Sequence, residues 1–189
     1  PSSSPSARMN PTIGSLGGDG KIVLFGGQTD GLVSSPLDTW IYDQKMNDWT
    51  EIKLTPESRV THLMASLGDR KVLLFGGQSL VGRRVKENCN IGSFFDDTWI
   101  YNIETRHWRQ VITLSLTPPV RQYSAIASLE ESKDVIMFGG RSRTCYQDFR
   151  DTWMFKQSIS DWIKLSPESS PPARCGHAMA SIGKSNNVV

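Results

Sequence analysis

"KIVLFGGQ" at residues 21–28 returns as "KVLLFGGQ" at 71–78 and as "DVIMFGGR" at 134–141. Each is a continuous apolar run that stops on two glycines. Such a run reads as a strand buried on both faces. The glycines fit a place where the backbone takes φ > 0 or a neighbouring strand comes close. Aligning Gly26–Gly27, Gly76–Gly77 and Gly139–Gly140 brings other features into register. Downstream lie "DTWIYD" (38–43), "DTWIYN" (97–102) and "DTWMFK" (151–156). A second tryptophan follows nine residues after the first in each, pairing Trp40 with Trp49, Trp99 with Trp108 and Trp153 with Trp162. Upstream stand Arg8, Arg59 and Arg121, and Arg174 opens a fourth stretch, "RCGHAMASIGKSNNVV".

The leading arginines are 51, 62 and 53 residues apart. Each unit reads as four short strands. Strand A is of the type "HLMASL", strand B runs into Gly-Gly, strand C is "DTWIYD", and strand D starts at the late tryptophan. Four short strands per unit, separated by turn residues, describe a blade of a β-propeller. A single blade cannot bury both faces, so the unit must recur, with the aromatics filling the wedge between blades.

Gly-Gly after an apolar strand, an aromatic pair, a spaced tryptophan and a leading arginine resemble kelch repeats. The resemblance covers residues 8–189. It divides the chain into a linker-like lead (1–7), unit 1 (8–58), unit 2 (59–120, with a long B–C loop at 78–96), unit 3 (121–173) and the first strand or strands of unit 4 (174–189). The fold class expected is all-β, a kelch-type propeller fragment of antiparallel four-stranded blades. In such propellers strand A lines the central channel and six or seven blades commonly close the ring. The resemblance therefore implies additional kelch blades, from the same full-length chain or from a partner chain, the first being favoured. Pro11 stands where the other units have His62, Ser124 and His177, so strand A of unit 1 is expected to start irregularly.

Composition is that of a globular chain, with 38% hydrophobic and 21% charged residues. A net charge of +2 does not argue for nucleic acid. No apolar run is long enough to span a membrane. Three cysteines, Cys89, Cys145 and Cys175, do not make a disulfide framework and lean towards a reducing, cytoplasmic setting. Their redox state stays open, with a Cys145–Cys175 disulfide and redox sensing as alternatives to unpaired loop thiols.

Function is expected where the units differ. Between Gly-Gly and the next Asp-Thr-Trp there are 10, 19 and 10 residues, and from late tryptophan to next arginine 10, 13 and 12. These B–C and D–A connections emerge on one side of an up-and-down blade, and variable loops on a rigid scaffold are where binding resides. The loop at 78–96 carries Arg83, Arg84, Lys86, Phe94 and Phe95, and the loop at 141–150 carries Arg141, Arg143, Tyr146, Phe149 and Arg150. Together they hold six basic residues against Glu87, Asp96 and Asp148. Basic groups among aromatics suit an acidic or phosphorylated peptide gripped by arginine. The other reading is solvated charge with the aromatics tucked over the blade edge. The leading arginines suit a structural role, with Arg121 and Arg174, nearest the decorated loops, candidates for a double one. The function expected is a protein-interaction scaffold or adaptor. Its partner-binding candidates are Arg83, Arg84, Lys86, Phe94, Phe95, Arg121, Arg141, Arg143, Tyr146 and Arg174. The paired glycines and six tryptophans are structural.

The alternative is part of a kelch-propeller enzyme or carbohydrate-binding protein whose site is completed by blades outside this chain. Galactose oxidase shares the architecture, and a copper site of that kind needs clustered histidine and tyrosine. His62 and His177 instead repeat one unit position and His107 lies between strands C and D. No carboxylate cluster resembling an iron site and no C-x-x-C zinc pair is present. No catalytic residue, metal or cofactor is assigned.

Overall fold

The computed structural model describes residues 4–18, 20–29, 36–80, 84–86, 89–91, 93–142 and 147–189. Among them there is no helix, and so none long and apolar enough to cross a membrane. The first sheet runs β1 (Thr12–Ser15), β2 (Lys21–Phe25), β3 (Thr39–Asp43), β4 (Asp48–Ile52), in that order and antiparallel. The second contains β5 (Leu63–Gly68), β6 (Lys71–Gln78), β9 (Phe94–Asn102) and β10 (His107–Val111), with the hairpin β7 (Arg84–Lys86) and β8 (Cys89–Ile91) inserted between β6 and β9. The third is built from β12 (Ala125–Leu129), β13 (Asp134–Phe138), β15 (Thr152–Lys156) and β16 (Asp161–Leu165). The short strands β11 (Arg121–Gln122) and β14 (Arg141–Ser142) pair beside it. In the fourth stretch the chain folds back as a bridge between Ser181 and Val188.

Strand B is apolar on both faces because each face meets a different blade. On β6, Val72 and Leu74 pack with Val23, Phe25 and Ile41 of the first sheet. The alternate residues Leu73 and Phe75 pack with Val135, Met137 and Phe155 of the third. Period-two alternation thus divides one strand between two cores. The late tryptophans close these joints. Trp108 Nε1 donates to Thr39 Oγ1 at 3.0 Å and Trp162 Nε1 to Thr98 Oγ1 at 2.9 Å, each reaching the preceding blade. Each indole also meets the preceding strand-B phenylalanine, with Phe25–Trp108 centroids at 5.4 Å and Phe75–Trp162 at 5.2 Å.

Both glycines of a pair are required. Gly26 has φ +64°, and a Cβ there would lie 2.5 Å from the Arg59 carbonyl oxygen of the next unit. Gly77 has φ +102°, and a Cβ would lie 2.8 Å from the Val60 carbonyl oxygen of its own unit. At Gly26 and Gly139 the first glycine admits the next unit, at Gly76 a Cβ would lie 3.2 Å from the Phe95 carbonyl oxygen of its own unit, and in all three pairs the second admits the start of strand A.

Strand A begins four residues after the leading arginine in every sheet, at Thr12, Leu63 and Ala125. Pro11 therefore does not displace β1, contrary to the expectation above. The chain passes its position in a turn, between the Met9–Gln28 bridge and the ladder that starts at Thr12. That turn has positive φ two residues after each arginine: Asn10 +53°, Thr61 +55°, Tyr123 +56° and Gly176 +70°.

Candidate functional site

The B–C and D–A connections place the leading arginines on one end of the blades, and the structure gives those side chains a definite role. The side chains of Arg8, Arg59 and Arg121 are only 3%, 1% and 1% exposed. Each guanidinium grips the aspartate of its own Asp-Thr-Trp segment with both terminal nitrogens. The distances are 2.7 and 2.8 Å for Arg8–Asp38, 2.5 and 3.0 Å for Arg59–Asp97, and 2.7 and 2.8 Å for Arg121–Asp151. The same arginines donate to the carbonyl of the first glycine of the pair, on Gly26, Gly76 and Gly139. The first tryptophan donates Nε1 to that aspartate as well, Trp40 to Asp38, Trp99 to Asp97 and Trp153 to Asp151. Each unit is thus latched from strand A to strand C by a bidentate, charge-assisted bond. Burial works to raise the Asp38 and Asp151 pKa values, but the bonds from arginine and tryptophan outweigh it and hold both carboxyls below their usual value.

Two aromatics cover these latches. The Arg59 guanidinium carbon lies 4.0 Å from the Phe95 ring centroid, and that of Arg121 lies 4.2 Å from Phe149. Phe95 is half-buried, as is Phe94 beside it at the start of β9. For Phe95, Phe149 and Arg121 the arrangement is the intramolecular one, aromatics laid over the blade edge above buried cations.

Among the described residues, the face left for a partner consists of other groups. Arg141 reaches Asp148 with Nε at 2.8 Å and keeps 38% of its side chain exposed. Arg150 is exposed and bonds Ser170. Arg174 is exposed, with Nε on the Pro172 carbonyl at 3.1 Å, and the sequence holds no Asp-Thr-Trp segment after it. Arg84 and Lys86 lie on β7, with side chains outside the described residues. Arg83, Arg143 and Tyr146 also lie outside the described residues, as does Cys145. Cys175 is a free, half-buried thiol. Burial and the neighbouring Asp148 raise its pKa against the pull of Arg141, so it is held as a thiol and not as a nucleophilic thiolate.

Sequence reasoning missed one feature of this face. Ile112, Leu114 and Leu116 on the connection from β10 to β11 are 84%, 94% and 78% exposed. The signal was the alternation in "VITLSLTPP" (111–119), which carries a strand-like pattern past the end of β10. A row of exposed large apolar side chains marks an interaction surface.

His62 and His177 serve the joints. His62 is 2% exposed, meets Phe25 edge-on at 5.3 Å and contacts Thr12 through Nε2. Burial and the Arg59 charge push its pKa down to about 3, so it is neutral at ordinary pH. His177 meets Phe138 in the same way at 5.6 Å. At the equivalent position of the third unit Ser124 Oγ donates to the Gly139 carbonyl at 2.8 Å. Among the described residues no three His, Cys, Asp or Glu side chains gather as a metal site.

Comparison with known proteins agrees with this architecture. An F-box/kelch-repeat protein of Arabidopsis thaliana is 30% identical over 185 residues, covering 89% of this chain and 35% of the relative. Acyl-CoA-binding domain-containing protein 4 of the same plant is 25% identical over 175 residues, covering 90% of this chain and 24% of the relative. Kelch domain-containing protein 1 of Mus musculus is 30% identical over 104 residues, covering 55% of this chain and 22% of the relative. The chain thus spans about a quarter to a third of the length of these relatives. A solved structure titled "Structure of YjhT" superposes with a TM-score of 0.69 over 94% of this chain and 57% of that one, at 16% identity, which speaks for the fold. The family model described as the KLHDC2/KLHL20/DRC7 Kelch-repeats domain matches residues 1–189, and the chain belongs to the kelch-repeat family.

Proposed function

We propose that the chain is a protein-binding scaffold whose B–C/D–A face takes an acidic or phosphorylated partner segment. Kelch repeats are commonly protein-interaction modules. The observation that carries the reading is the exposed row Ile112, Leu114 and Leu116, on the same end of the blades as the basic loops. The apolar row supplies contact area, and the B–C loop sequences, with Arg83, Arg84, Lys86, Arg141 and Arg143, together with Arg174 supply an excess of basic over acidic residues. Phe94 and Tyr146 stand beside those basic residues in the same two loops. Arg121, Phe95 and Phe149 support the face from beneath, because their contacts are within the blade.

The test is fluorescence anisotropy with acidic, phosphorylated, neutral and basic peptides of equal length. Acidic and phosphorylated peptides are expected to bind, and to weaken as salt screens exposed charge. Changing Arg83, Arg84 and Lys86 together to glutamate is expected to weaken them about tenfold or more, and changing Ile112, Leu114 and Leu116 to serine to weaken them independently. Equal binding of neutral peptides, or binding unchanged by both sets of substitutions, overturns the proposal.

A further inference from the structure

On the opposite end of the blades, where the A–B and C–D turns lie, the second and third sheets enclose a groove of about 400 Å³. Its lining includes Lys71, Asn102, Thr105, His107, Arg109 and Ser160, and no carboxylate. Among the described residues neither the Lys71 nor the Arg109 side chain makes a hydrogen bond or salt bridge, although Lys71 acts electrostatically on Asp69, which is paired with Lys133.

The other blades show what this position normally contains. In the first sheet the strand-B residue Lys21 faces Asp43 across the ladder and pairs with it at 2.9 Å. In the third the signs are exchanged and Asp134 pairs with Lys156 at 3.3 Å. In the second, Lys71 faces the neutral Asn102. One ladder step along, Asp48 of the first sheet is replaced by His107, and Thr50 by Arg109. The equivalent groove between the first and second sheets is smaller, about 90 Å³, and includes the Lys21–Asp43 pair and Thr50. Three substitutions at aligned positions thus remove two acids and add a guanidinium where the lysine has no acid across the ladder.

We propose that this groove is a binding site for a phosphoryl group, presented by inorganic phosphate or a small phosphomonoester. A guanidinium recognises phosphate oxygens through a planar pair of donors, and a lysine adds a compact charge. Ser160 and the Asn102 amide nitrogen add neutral donors to the lining, while Thr105 Oγ1 already donates to the Asn102 carbonyl at 3.4 Å. His107 Nδ1 donates to the Thr105 carbonyl at 2.5 Å, which fixes the ring; in that neutral tautomer Nε2 is an acceptor, so the imidazole shapes the groove and replaces the acid of the first sheet without adding a donor. Gln157 does not compete for the anion. In the amide orientation its surroundings require, its nitrogen donates to the Leu67 carbonyl at 2.7 Å and the Lys133 carbonyl at 2.9 Å. The site is independent of the peptide-binding reading because it sits at the other end of the blades.

The test is a titration of the ¹⁵N-labelled chain with sodium phosphate at constant ionic strength, balanced with chloride, and a second arm with phosphoserine as the monoester. Saturable shifts at Asn102, His107 and Arg109 are expected, with one arm tighter and so identifying the source. Asn102→Asp restores the cross-strand pair of the first sheet, and Arg109→Thr restores its neutral residue. Each is expected to weaken phosphate binding about tenfold, since each removes or neutralises one direct charge. Both positions are partly or fully exposed, so the fold is expected to persist, with the melting temperature as the control. Linear, unsaturable shifts in both arms, or an affinity in both variants unchanged from that of the unsubstituted chain, overturn the site.

Discussion

Asp151→Asn leaves the Arg121 guanidinium buried, positive and without its counter-charge, and so tests whether the leading arginines are scaffold. Asparagine keeps an oxygen for Trp153 Nε1, which donates to Asp151 at 2.6 Å, but turns its amide NH2 towards Arg121 Nη1, so the change removes the counter-charge together with one acceptor. The Arg121 side chain is 1% exposed and that of Asp151 14%, which places the pair in the buried class. Breaking such a pair from one side costs about 3–5 kcal/mol. Arg121→Met in the same chain removes the stranded cation, and the double variant is expected to recover about 2 kcal/mol or more of that loss. The Gly139 carbonyl loses its guanidinium donor in the double variant but keeps Ser124 Oγ at 2.8 Å, so this loss is small. Arg174→Met is the internal control: the residue is exposed, and a change within about 0.5 kcal/mol is expected. The assay is urea unfolding followed by tryptophan fluorescence and by circular dichroism, whose coincidence checks that one transition is being measured. A cost below about 1 kcal/mol for Asp151→Asn puts the pair in the surface class and refutes the latch. So does a double variant no better than the single.

Three other outcomes follow from the same geometry. His62 has its folded pKa depressed to about 3 from 6.5, so its share of stability is complete above pH 6.5 and is lost as pH falls towards 3. Its slope approaches about 1.4 kcal/mol per pH unit, and His62→Ser, which installs the residue of the third unit, is expected to remove that part of the acid slope in urea titrations at stepped pH. Trp162→Phe keeps the stacking ring but strips Thr98 Oγ1 of its 2.9 Å donor, and is expected to cost about 1–3 kcal/mol in the same unfolding assay. Gly140→Ala puts a Cβ 2.0 Å from Ser124 Oγ and 2.9 Å from the Gln122 carbonyl at φ +98°, so its cost is expected to exceed clearly that of Gly17→Ala, where φ is +72° with nothing within 4 Å. That control isolates the backbone penalty of about 1–2 kcal/mol.

The blades were legible because strand B and its glycines are dictated locally and then repeated. An apolar strand that meets a different blade on each face cannot alternate in polarity, and Val72, Leu73, Leu74 and Phe75 display this directly. The arginine–aspartate latch was not legible, although both residues recur in register. The partners are 30 to 38 residues apart, and only the blade geometry brings strand A back to the start of strand C. The turn after each arginine was also hidden, since Asn10, Thr61 and Tyr123 take positive φ without glycine. An aromatic beside basic residues has one sequence signature whether it meets a partner or covers an internal cation. Phe95 and Phe149 take the second course. The exposed row at 112–116 was written in the sequence as alternation, but burial decides whether alternation belongs to a strand or to a surface.

The most direct test of the functional reading is a hydrogen–deuterium exchange footprint of the chain with a saturating acidic peptide. The reading predicts slowed exchange in 78–96, 111–120 and 141–150, with the A–B and C–D turns unchanged. Protection confined to those turns, or spread evenly over all blades, would contradict it.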